Sequence, residues 1–422
     1  MSCARANTHD VSIQTEPSRP RRSYRARPLR LIAALAVVGA VVWALGWAHA
    51  RPYVAASWPA RDPLGARGWG GLSLQQVTEA SLDGRCLAVN AAPGGPAAAV
   101  STGGGSTSLT LLWPDGRRSA TSLTLPGEPA LAVFVADLTL MLWVPDADRA
   151  AGGVLSAVSV SAAGQSKTKI GTAWQARIPN AVFGLVALDT AVAVIAGGQE
   201  GVPHTCLVVS AGSGKTLWQV SLADGLFTSW GGATPAGGLA LAGAEFDGTG
   251  VSPFARLYSA SGKLLCDLRT EEGPAYLVQP SPTGRYVLVV TWSRLRLVDG
   301  DGTILWSAAF PAVRVEGALV TAAGRVVIST VRNTLALDQS GRVQSRWKNP
   351  GLSATAVGAG GDTMALGLMD GVALLDGAGR LRASLTLTGV SGALGVDAQG
   401  AFLCRTEGST LALFVLIGGS SR

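Results

Sequence analysis

Residues Ala275–Ala309, AYLVQPSPTGRYVLVVTWSRLRLVDGDGTILWSAA, read as four short β-strands joined by two tight turns, Ser281-Pro-Thr-Gly284 and Asp299-Gly-Asp-Gly302. Each turn opens with a Ser or Asp whose side chain caps the backbone amides that follow. Each closes with a Gly that supplies the positive φ of a short hairpin. Between the turns, Arg285–Thr291 and Arg294–Val298 are rich in β-branched and aliphatic residues, the composition of a strand. One four-stranded sheet cannot bury both of its faces. A stable fold therefore requires the unit to recur.

It does recur. Turns like the first appear at Ser81-Leu-Asp-Gly84, Thr234–Gly237, Thr321–Gly324, Gly358–Gly361 and Asp397–Gly400, with weaker versions near Asp137 and Asp189. Turns like the second appear at Trp113–Gly116, Ser161–Gly164, Ser210–Gly214, Ser259–Gly262, Asp338–Gly341 and Asp376–Gly379. The final glycines of this outer series are 48, 50, 48, 40, 39 and 38 residues apart. A period of about 40–50 residues with four strands per unit is the signature of a β-propeller. The expected fold is all-β, a propeller of eight blades over residues 72–422. Seven blades is the alternative, should the weak units merge.

The eighth unit, Ala393–Ile417, offers three strands and lacks an outermost one. An open ring leaves an unpaired strand edge and a bare apolar face. The unassigned segment before the first hairpin is therefore expected to complete the last blade. Within Tyr53–Gly71, Tyr53-Val54 and Trp69 are the residues that suit a short edge pairing.

The outer turns resemble the repeat of quinoprotein-type β-propellers, roughly A-x-D-x-x-[S/T]-G-x-x-x-W. The matching stretches are Ala336-Leu-Asp338-Gln-Ser-Gly341, Val298-Asp-Gly-Asp-Gly302-Thr-Ile-Leu-Trp306 and Ser213-Gly214-Lys-Thr-Leu-Trp218. The resemblance covers about residues 72–417 and implies that Trp218, Trp306 and Trp347 pack between neighbouring blades. Cys266 holds the equivalent place after Gly262, and Trp347 falls two positions late after Gly341. Quinone-dependent dehydrogenases of that family use a vicinal Cys-Cys pair, a bound Ca²⁺ and a catalytic Asp. This chain has no adjacent cysteines and is far shorter, so no cofactor or metal is expected.

Ahead of the repeats lie three different segments. Residues 1–30 are polar and end in the basic run Arg19–Arg30, the composition of a disordered tail. Residues 31–50, LIAALAVVGAVVWALGWAHA, carry no Asp, Glu, Lys or Arg. As a helix they would span a ~30 Å hydrocarbon core. Arginines before the span and Trp43 and Trp47 toward its far end predict a single-pass signal anchor, N-terminus inside and residues 51–422 outside the cytoplasm. The rival is cleavage near Ala50. Ala48-His-Ala50 is an A-x-A site, and Arg21-Arg22-Ser-Tyr24 partly resembles a twin-arginine signal. Residues 51–71, with three Pro and four Gly, read as a linker.

Composition and motifs narrow the chemistry. The formal net charge is +7, of which residues 1–51 account for +6 with eight Arg against Asp10 and Glu16. The nearly neutral remainder has no nucleic-acid footprint. Ala211-Gly-Ser-Gly-Lys-Thr216 imitates a phosphate-binding loop, but Val209 stands where the first Gly belongs and a strand follows. His204 is the only His in the propeller, and no His/Cys pair has metal-ligand spacing. Cys86, Cys206, Cys266 and Cys404 fall on predicted strands as small buried hydrophobes. Cys86 and Cys404, on corresponding strands of the first and last units, form the candidate disulfide if the ring closes. The resulting expectation is a non-catalytic binding or scaffolding module at a bacterial cell envelope, with a protein or envelope-polymer partner. The alternative is a propeller enzyme, hydrolase or quinone-dependent oxidoreductase, with its site in the central funnel.

Overall fold

The computed structural model describes residues 72–418, except for stretches at 92–95, 136–137, 149–151, 164–166, 198–203, 223–224, 232–237, 247–249, 271, 311–313, 349–351, 361–362, 369–370, 387–393, 397–401 and 408–409. All of these residues fall in the second of two compact units, Met1–Tyr53 and Val54–Arg422. The tail (1–30), the apolar span (31–50) and the linker (51–71) lie outside the described residues. Among the described residues no helix is long and apolar enough to cross a membrane.

The described strands form eight four-stranded antiparallel sheets. Sheets I to VII are simple meanders over 85–123, 131–178, 181–221, 225–269, 277–309, 315–348 and 352–386. The stretch that opened the sequence reading is sheet V: Leu277–Pro280, Tyr286–Val290, Arg294–Asp299 and Ile304–Ala309. The innermost strands stand side by side. Leu131–Val135 lies between Arg85–Ala91 and Ala181–Ala187, and Leu394–Val396 of the last sheet returns to Arg85–Ala91 of the first. The chain is a β-propeller.

Burial explains the ring. Each sheet is apolar on both faces, and the core is a series of layers between neighbours. Leu288, Leu297 and Trp306 of sheet V pack on Ala318, Ile328 and Leu335 of sheet VI. Val208 and Cys206 of sheet III pack on Leu241 and Phe254 of sheet IV. Leu411 and Leu413 of sheet VIII pack on Ala97, Ala99 and Leu112 of sheet I.

Sheet VIII is the exception to the meander. Its order is Leu72–Ser81, Thr410–Gly418, Phe402–Glu407, Leu394–Val396, so its outermost strand comes from the start of the repeat region. Leu72 pairs with Gly418 and Ser81 with Thr410. The closing strand is therefore Leu72–Ser81 and not, as expected, part of Tyr53–Gly71; Tyr53-Val54 and Trp69 lie outside the described residues. The turn Ser81–Gly84 is not an inner hairpin. It joins the outer strand of the last sheet to Arg85–Ala91, the inner strand of the first. The error has a simple cause: LSLQQVTEAS runs into an S-x-D-G turn, the same signal that ends a true inner strand elsewhere.

A meander fixes two ends of the ring. The turns between third and fourth strands lie at one end, here the turn end. The turns between second and third strands lie at the other with the links between sheets, here the crossover end. Leu72, paired with the last residue of Thr410–Gly418, sits at the turn end.

Candidate interaction surfaces

The outer turns build a repeated joint between neighbouring sheets. Gly262 has φ +80°, and a Cβ there would lie 2.7 Å from Trp218 Cδ2 of the preceding sheet. Gly341 has φ +78° and stands equally close to Trp306, and Gly214 at φ +71° holds Trp174 in the same way. Only a residue without a Cβ satisfies both the dihedral and the approach. Trp218 Nε1 donates to Ala260 O at 2.7 Å and Trp174 Nε1 to Ala211 O at 2.7 Å, both in the turn of the next sheet. Trp306 is the most buried of the three at 8% exposure, and its Nε1 has no hydrogen-bond partner among the described residues.

A β-bulge aims these rings. Val208 pairs with Trp218 and Val209 with Thr216, so Leu217 is the extra residue. The same step leaves out Leu265 before Cys266, Leu305 before Trp306, Gln344 before Ser345 and Arg382 before Ala383. The bulge turns one residue to solvent and the next toward the neighbouring sheet. It also shows which residue of sheet VI holds the equivalent register. Ser345, not Trp347, occupies the bulge register of sheet VI, and Gly379 of sheet VII stands against Ala336 and Ser345. Trp347 pairs with Thr334 two positions on, and its side chain lies outside those described. Trp174 is a docking residue that the sequence reading missed. Its strand, Lys167–Ile178, is twelve residues long, so the four-residue spacing from the turn Gly does not reach it.

The candidate disulfide is not formed at Cys86. Strands Arg85–Ala91 and Phe402–Glu407 are neighbours across the closure, yet Cys86 is free and its thiol donates to Ala88 O at 3.6 Å. It sits instead as a small apolar filler beside Ala80 and Val89, and the side chain of Cys404 lies outside those described. Burial pushes the Cys206 thiol up to about 12. Ser210–Lys215, within the phosphate-loop look-alike, is a hairpin turn between Thr205–Ser210 and Thr216–Ser221.

Side chains with recognition chemistry gather at the crossover end of sheets IV to VI. Trp292, in the turn between the second and third strands of sheet V, is 49% exposed and rests on Tyr276, ring centroids 4.8 Å apart. Tyr276 is fixed from both sides: its N–H donates to Val290 O at 3.0 Å, and its hydroxyl accepts from Val315 N at 3.0 Å. Burial raises the Tyr276 pKa, with the Val315 amide pulling the other way. The loops at this end of sheets V and VI also carry Arg294, held by Glu272 at 3.0 Å, Arg314, 3.8 Å from Glu316, and the exposed Val331 and Arg332. Arg296 is buried against the same Glu272. Four arginines against two glutamates give this part of the face a positive balance.

Sheet IV adds a closed ion-pair ring in which Arg256 and Arg269 each contact both Glu245 and Asp267, at 2.6 to 3.2 Å. Burial disfavours the Glu245 charge, but both guanidiniums hold its carboxyl below the usual range. The Arg256 guanidinium also lies over the Phe254 ring at 4.6 Å. These pairs satisfy one another, and the arrangement is structural. His204, beside Phe183 at 5.4 Å between ring centroids, lies at the crossover end of sheet III. No group of three or more His, Cys, Asp or Glu among the described residues could hold a metal ion.

No family model matches the chain, and no curated protein matches it. Solved structures do. Sqt1 of Chaetomium thermophilum, bound to the N-terminus of ribosomal protein L10, aligns with TM-score 0.59 at 13% identity, covering 81% of this chain and 99% of its own. BamB of Moraxella catarrhalis aligns with TM-score 0.53 at 14% identity, covering 81% and 97%. The C-terminal WD40 domain of Sif2 aligns with TM-score 0.58 at 12% identity, covering 82% and 99%. At these identities the likeness is one of fold.

Proposed function

We propose that this chain is a non-catalytic binding module, an eight-bladed propeller of quinoprotein-repeat type, held at a bacterial cell envelope by residues 31–50 and engaging a protein partner through the crossover end of sheets V and VI. The observation that carries the reading is Trp292. A half-exposed Trp, tilted against a Tyr that is itself locked by two hydrogen bonds, with Arg294 and Arg314 on the same and the adjoining loop, is the composition of an interface hot spot. A rigid aromatic surrenders little side-chain entropy on binding, and a positive rim favours a partner with carboxylates. Eight four-stranded sheets support the blade number, and the outer-turn joints support the repeat type. Similar folds include one crystallised on a peptide terminus, in accord with a protein ligand. The anchor and the envelope location rest on the uncharged span and the arginines before it.

The test is in-cell photo-crosslinking of the full-length protein with a benzophenone amino acid in place of Trp292 or Val331. A discrete protein adduct at both positions, absent from position 301 at the turn end, is expected. Trp292→Ala should weaken binding of the identified partner tenfold or more while leaving the melting temperature unchanged. Absence of any adduct from a folded, membrane-associated protein overturns the reading.

A further inference from the structure

The bulge position supplies an internal control. It must face solvent, and in sheets VI and VII it holds Gln344 and Arg382. In the consecutive sheets III, IV and V it holds Leu217, Leu265 and Leu305, exposed by 56%, 41% and 45%. Packing does not demand leucine at a place that accepts Gln and Arg. Two more exposed aliphatics, Leu264 and Ile304, precede the bulge in sheets IV and V, and Lys215 and Lys263 follow the turn glycines of sheets III and IV. The result is a row of exposed aliphatic side chains, one in sheet III and two each in sheets IV and V, with cations beside it on three outer strands.

This row lies at the turn end, where the chain enters the ring at Leu72. The uncharged span closes at Ala50, and the 21 residues between reach at most about 70 Å. We propose that Leu217, Leu265 and Leu305 form a lipid-contacting rim that seats the turn end on the bilayer surface, with Lys215 and Lys263 at headgroup level; this rests on the reading of residues 31–50 as a membrane anchor. Transfer of each leucine out of water is favourable in proportion to its area. Lysines beside them keep their ammonium groups in water while their stems lie along the apolar layer. With the turn end on the lipid, the crossover end faces away from it, free for a partner.

The experiment places the benzophenone amino acid in place of Leu217, Leu265 or Leu305 in the full-length protein, irradiates native membranes and reads the adduct by mass. Positions 41 and 331 serve as references. Phospholipid adducts at 217, 265 and 305, comparable in yield to position 41 and at least fivefold above position 331, are the expected result. Protein adducts at the three sites, or none, with lipid adducts retained at position 41, overturn the rim while the anchor stands. A protein found wholly in the soluble fraction, without lipid adducts at position 41, overturns the anchor and the rim together. Replacing all three leucines with Gln, as sheet VI already has, leaves the fold intact and should make the turn end at least threefold more accessible to added protease in the membrane-bound protein.

Discussion

The joint between sheets V and VI and the joint between sheets IV and V share one geometry and differ in what fills it. In the first, Gly341 faces the buried indole of Trp306; in the second, Gly302 faces Cys266, with a Cβ on the glycine 2.6 Å from both Cβ and Sγ of the cysteine. The cysteine thiol donates to Gly302 O at 3.8 Å, the same direction in which Trp218 donates to Ala260. Where the aromatic is missing, Ala240, Ala242, Ala255 and Val278 close the gap from sheets IV and V, and Arg296 with Glu272 joins at the crossover end. The recurring element of the joint is the glycine in its left-handed turn. The aromatic is one of several ways to meet it.

The comparison breaks most visibly at Trp306. Trp306→Ala removes a large side chain from a site that is 8% exposed and should cost about 3–5 kcal/mol, read as a lower urea midpoint. A variant that unfolds with the wild-type midpoint would end the docking role. Gly262→Ala comes next. A Cβ at φ +80° costs about 1–2 kcal/mol in backbone energy alone, and Trp218 must also move, so a loss of roughly 2–3 kcal/mol is expected from the same measurement. Cys266→Trp sharpens the contrast, because the IV–V layer is already closed by small residues. Overpacking should destabilise by about 1–3 kcal/mol, and a stabilised variant would mean that the joint is merely underfilled. Cys266→Ala should cost less than ~1 kcal/mol, since a half-buried thiol loses few contacts.

The smallest effect belongs to Asp338, which caps the turn of sheet VI. Its carboxylate accepts from Ser340 Oγ at 2.7 Å and from the amides of Ser340 and Arg342, and the Ser340 hydroxyl leads the shift that holds its pKa at about 2. The folded value lies below the unfolded one. The stabilisation is therefore complete above about pH 4 and is lost as pH falls toward 2. Asp338→Asn should unfold at nearly the same urea midpoint as wild type at pH 2, and at a slightly lower one at pH 6. The opposite order would show that the carboxylate does not cap the turn.

Sheets V and VI were legible because each turn carries its own chemistry: an Asp or Ser to cap, a Gly to reverse, and aliphatic runs between. The closing strand was harder, because pairing across the whole ring leaves no local mark. Leu72–Ser81 looks like any inner strand. Trp174 escaped for want of a regular spacing, whereas Ser345 stands four residues after Gly341 like Trp218 and Trp306 after their glycines, and the bulge there leaves Trp347 two positions further on. The crossover surface was not legible at all. Tyr276, Trp292, Arg314 and Val331 come from four separate turns or links, and only the topology of the ring sets these at one end.

The closing strand also has a mechanical meaning. Among the described residues it is paired on one side only, to Thr410–Gly418, and it is the first element of the ring that a pull at Leu72 meets. A load along its axis is shared in shear by all the pairs between Leu72 and Ser81, whereas a load pulling Leu72 outward peels them one at a time. The same joint that closes the ring thus sets the force it withstands, and the direction of a pull at Leu72 decides whether that force is high or low.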